Sequence, residues 1–196
     1  MGIFYLVLQK LKAFRMTIPS LILLVLASYR TLNSGDSIQL VGICASIVPF
    51  ICQFKNFPKA EGVSAIQDVI SSYILNWILM FAYLAWMMLM TWIGKTFVAS
   101  YVVNPYFMEM TLIAICADVV FISAVIPICR ELKPMQRMIP ALAMINAMLI
   151  FMMMAGAYLK AAAPANIPVI ACGFIANIVI LTFGLIFAGY GERKKK

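Results

Sequence analysis

Two long stretches almost free of charge, residues 108–129 and 137–159, flank the basic segment CRELKPMQR, and this arrangement restricts the possible folds more than any other feature. An α-helix rises ~1.5 Å per residue, so about 20 apolar residues cover a hydrocarbon core of ~30 Å. Each stretch is long enough. The first carries Glu109 near its start and Asp118 in its middle; the second is nearly continuous in Ala, Met, Leu and Ile. Pro134 suits the turn between them because it cannot donate to a helix ladder. The pattern predicts two membrane-crossing helices joined on the basic, cytoplasmic side.

The rest of the chain extends that reading. Hydrophobic residues make up 65% and charged residues 11% of the sequence, against about 25% charged in a soluble domain. Lipid requires every backbone polar group to be satisfied internally, which favours helices, and the ~10-residue alternating stretches of a membrane barrel are missing. The expected fold is all-α: a single polytopic membrane domain with six transmembrane helices, about 17–31, 38–54, 69–93, 108–129, 137–159 and 169–190. Residues 2–15 precede them. Ile3, Phe4, Val7, Leu8, Leu11 and Phe14 recur at helical spacing beside Gln9, Lys10, Lys12 and Arg15, which predicts an amphipathic helix lying in the interface. No small-residue cleavage site follows, so a signal peptide is not expected.

Charge sets the orientation. Of the 15 basic residues, all but Arg30, Lys95 and Lys160 fall on one side of this six-span layout. By the positive-inside rule both termini are cytoplasmic, in a multi-pass protein of the cell membrane. The net charge of +8 reflects this sorting and is not a nucleic-acid footprint.

Little in the sequence points to chemistry. There is no histidine, which removes histidine acid–base catalysis and Ser-His or Cys-His nucleophiles. Cys44, Cys52, Cys116, Cys129 and Cys172 lie in or beside apolar runs without a C-x-x-C pair, so they read as packing residues. The triplet Gly94-Lys95-Thr96 resembles the end of a phosphate loop, but Leu89 stands where that motif needs its first glycine. Neither an enzyme activity nor a cofactor or metal held by this chain is expected. Asp118 at mid-span faces the bundle interior by default. It serves a proton-coupled site or a polar substrate path or, equally well, as a hydrogen-bonded tie to Asn76, Asn146 or Asn177. The methionines, Met152 and Met153 among them, suit either an adaptable substrate surface or plain packing.

The whole layout, and AVIPICRELKPMQRMIPAL at 124–142 locally, resembles small permease subunits of the ABC-2 exporter class. The resemblance implies that ATP is bound by a separate ABC ATPase subunit. It implies docking of that subunit on Lys10, Lys12 and Arg15 of the N-terminal helix, on Lys55, Lys59 and Glu61 of the first cytoplasmic loop, and near Arg130, Lys133 and Arg137. A second permease copy or paralogue would complete a pathway for an amphipathic peptide, lipid or drug, with Asp118, Asn76, Asn146, Met152 and Met153 along it. Two other classes fit the layout. A substrate-capturing subunit of a vitamin or metal importer would retain its ligand when isolated, and a membrane scaffold would need no polar residues inside its spans.

Overall fold

The computed structural model describes residues 2–16, 18–33, 57, 62–102, 105 and 107–131, together with the single helical positions 143, 154, 175, 179, 182 and 186. The described residues form four helices: α1 (Ile3–Ala13), α2 (Ile18–Asn33), α3 (Ala65–Phe97) and α4 (Phe107–Glu131). No strand occurs among them, in keeping with an all-helical fold. The expected spans 38–54, 137–159 and 169–190 lie outside the described residues, apart from those single positions.

α3 is the hub, and α1, α2 and α4 each pack against it. Among the described helices this one is the organising element; the second arm of the expected hairpin, 137–159, lies outside the described residues. Local chemistry fixes its start. Gly62 takes φ +77, a left-handed conformation open to glycine, and turns the chain toward Ser64. Ser64 Oγ accepts from Gln67 N at 3.2 Å, and Ser64 N donates to Gln67 Oε1 at 3.3 Å, a reciprocal capping box. Thus the helix begins four residues before the span expected from 69, and Asp68 belongs to its first turn. At the other end it continues through Gly94-Lys95-Thr96, a stretch expected to be loop. With 33 residues it is about 50 Å long, well beyond a ~30 Å core. By length and composition it is the one described helix that qualifies to cross a membrane.

Contacts between α2 and α3 advance in the same sense along both helices. Trp86 Nε1 donates to Ser28 Oγ at 2.9 Å, Thr31 Oγ1 lies 3.7 Å from Met87 Sδ, and Leu32 O meets the backbone at Gly94. The two helices therefore run parallel. α4 runs the other way, since Arg130 in its last turn returns to Asp68 at the start of α3. Arg130 is thus helical and not part of a turn.

The interior is mostly apolar, with Leu75, Leu79, Met80, Leu84 and Met87 buried on α3, and polar residues are buried among them. The inner face of α3 includes Asp68, Ser71, Ser72, Asn76 and Thr91, all buried, while Phe81, Trp86, Met88, Leu89 and Trp92 point outward. On α2, Ile18, Leu21, Ile22, Val25, Leu26 and Tyr29 make a continuous exposed apolar stripe, Val25 being 65% exposed. On α1, Phe4 is 75% exposed, while Lys10 is buried beside Leu6 and Val7.

Candidate functional site

The inward polar residues converge at one end of the bundle. Lys10 reaches from α1 to the first two turns of α3, where Asp68, Ser71 and Ser72 share a face by their i, i+3, i+4 spacing. Its Nζ donates to Asp68 Oδ1, Asp68 O, Ser71 Oγ and Ser72 Oγ, each at 2.7 Å. Both hydroxyls in turn donate to Asp68 O, Ser71 at 2.9 Å and Ser72 at 2.7 Å. From α4, Arg130 Nε approaches the other carboxylate oxygen, Oδ2, at 3.3 Å. This last contact is one of charge. The N–H is not directed at the oxygen, and Nε makes no hydrogen bond.

Among the described residues, one carboxylate therefore joins three helices and faces two cations. A buried ammonium is tolerated only when its charge is paired and its protons are accepted, and this cluster does both. That pairing explains why Lys10 leaves the polar face expected of an interfacial helix. Asp68 draws it inward, so α1 turns Phe4, Tyr5, Leu8 and Leu11 outward.

At the opposite end of α3 a second contact closes the bundle. The Tyr101 hydroxyl donates to Thr31 O at 2.7 Å, an acceptor in the last turn of α2. Its ring lies against Gly94, where an added Cβ would stand 2.5 Å from Tyr101 Cε2 and 3.0 Å from Leu32 O. Gly94 is a packing glycine, which accounts for the phosphate-loop lookalike without a nucleotide.

Among residues expected in a substrate path, Asn76 is fully buried on α3, two turns above Asp68. Asp118 lies within α4, but its side chain, and Asn146, Met152 and Met153 entirely, fall outside the described residues. Of those expected to dock an ATPase, Lys12 and Arg15 are exposed, whereas Lys10 and Arg130 are brought together inside the node. Lys55, Lys59, Glu61, Lys133 and Arg137 are outside the described residues. Sequence reasoning did not single out Asp68, Ser71 or Ser72; the signal present was a helix cap immediately followed by polar residues on one helical face.

Compared with family models, curated proteins and solved structures, the chain matches none.

Proposed function

We propose that this chain is a multi-pass helical permease subunit of the cell membrane, driven by a separate ABC ATPase and paired with a second permease copy to export an amphipathic substrate. Two observations support membrane residence. Large apolar side chains are exposed along α1, α2 and α3, and several polar ones are buried on α3 within a mostly apolar interior, a combination that lipid tolerates better than water. Parallel packing of α2 and α3 adds a constraint on topology. Leu32 touches Gly94, and 29 residues of helix separate Gly94 from the start of α3 at Ala65. That is ~43 Å, so the end of α2 and the start of α3 lie at opposite heights of the bundle. A return crossing between the two, as the apolar run 38–54 suggests, fits the six-span layout.

The single observation that carries the permease reading is the anchorage of α1. Lys10 fixes this helix to the base of α3 and, through Asp68, to α4, while Lys12 and Arg15 remain exposed beside it. A push on α1 is thereby a push on two spans. A chain without an ATP site needs such a lever, because an external motor acts only by binding its two conformations unequally. Lys12 and Arg15 offer cations to an acidic surface of the ATPase; Lys10 serves as the internal anchor.

Purification in mild detergent together with the ATPase of the same transport system tests this. The expected result is a stable complex whose ATP hydrolysis depends on this chain and falls severalfold in a Lys12→Glu, Arg15→Glu variant. Elution of the chain alone, with no change in hydrolysis, would refute it.

A further inference from the structure

α1 has two distinct sides. Leu6, Val7 and Lys10 are buried against the bundle, and the Lys10–Asp68 pair fixes which way the helix faces, since rolling it about its axis would break that pair. At about 100° per residue, Leu11, Phe4, Leu8, Lys12 and Tyr5 follow one another within an arc of about 120° on the other side. All five are exposed. Four of them are large and apolar, which water opposes. Arg15, just past the helix end, is exposed as well. No acidic residue occurs in the chain before Asp36, so this outer face carries positive charge alone. The exposed apolar surface then continues into α2, from Ile18 to Tyr29.

We infer that the outer face of α1 binds anionic phospholipid of the cytoplasmic leaflet. Phe4, Leu8 and Leu11 enter the acyl boundary, and Lys12 and Arg15 take the headgroup phosphates. Both parts of the face select this occupant. Apolar side chains need a layer to enter, cations need anions at its edge, and an anionic leaflet offers the two at adjoining depths. A soluble phosphate would leave the apolar residues in water, and an uncharged apolar groove would leave the cations without a complement. The face also continues the α2 stripe that the membrane placement turns toward lipid. Near an anionic leaflet each cation is worth about fivefold in binding. The inference rests on the membrane residence proposed above and not on export. Within the exporter reading, lipid phosphates and the ATPase compete for Lys12 and Arg15, each weakening the hold of the other.

The test uses the full-length protein, native cysteines replaced, with a fluorophore on Leu8→Cys. It is reconstituted without any ATPase in nanodiscs of phosphatidylcholine with about one-third phosphatidylglycerol. A nitroxide quencher is placed on the acyl chain of one lipid or the other, at equal mole fraction. Quenching should be severalfold stronger from phosphatidylglycerol, and a Lys12→Gln, Arg15→Gln variant should make the two lipids equal. Equal quenching by both lipids in the parent protein overturns the inference, as does quenching by neither. Failure to enter nanodiscs would refute membrane residence along with it, whereas entry without quenching refutes this inference alone.

Discussion

Asp68 answers a lysine with one oxygen and an arginine with the other, and the two cations are not equivalent. Lys10 is sealed at 1% exposure with its protons accepted, whereas Arg130 keeps 20% of its side chain exposed and makes a charge contact without a hydrogen bond. Removing the partner of a buried charge leaves that charge uncompensated, at a cost of ~3–5 kcal/mol. Asp68→Ala should therefore lower unfolding free energy by about that amount. Arg130→Gln should cost less, ~1 kcal/mol, because Nε makes a charge contact without a hydrogen bond and the rest of the side chain is partly exposed. Chemical denaturation of both purified variants measures the two losses. Equal losses would mean that the arginine, and not the lysine, is what holds Asp68 in place.

At the scale of elements, helices in lipid lack a hydrophobic force between them and rely on close packing and polar ties worth ~0.6 kcal/mol each. Gly94 and Tyr101 supply both for α2 and α3, the glycine by proximity and the tyrosine through Thr31 O. Gly94→Ala should cost ~1–3 kcal/mol through overpacking. In a Tyr101→Ala background the same change should cost clearly less, since the clashing ring is gone and alanine is the better helix former by ~1 kcal/mol. A double-mutant cycle on thermal unfolding checks this, and additive losses would contradict the contact. α2 and α4 were legible in the sequence because their apolar runs nearly coincide with their helices, 17–31 against Ile18–Asn33 and 108–129 against Phe107–Glu131. The ends of α3 were not. Hydropathy follows contact with lipid, whereas Ser64 and Gln67 set the start by hydrogen bonding, and Gly94 stays helical through packing. The node was hidden for another reason: Lys10 lies 58 residues from Asp68 in the chain, and no periodicity connects them. Asp118 drew attention as an isolated acid within an apolar run; among the described side chains the acid that gathers helices is Asp68, which stands at the edge of one.

For the molecule as a whole, the ion node and the Tyr101 closure mark opposite ends of α3, with Lys12 near the first and Lys95 near the second. Asp68 and Lys95 stand 27 residues apart on one helix, ~40 Å. This exceeds the ~30 Å core, so a membrane around the outward apolar faces leaves the two lysines in different compartments. In the proposed orientation, which follows the excess of basic residues on the side of Lys12, that end faces the cytoplasm. Both lysines are exposed, which makes them better reporters than the buried Lys10. With the native cysteines replaced, Lys95→Cys should react with a membrane-impermeant maleimide on intact cells. Lys12→Cys should react only after permeabilisation. The opposite pattern would place α1 and its exposed cations outside, beyond the reach of a cytoplasmic ATPase. Labelling of both sites in intact cells would remove the membrane from between them, and the outward stripe from Ile18 to Tyr29 would then need a protein partner in place of lipid.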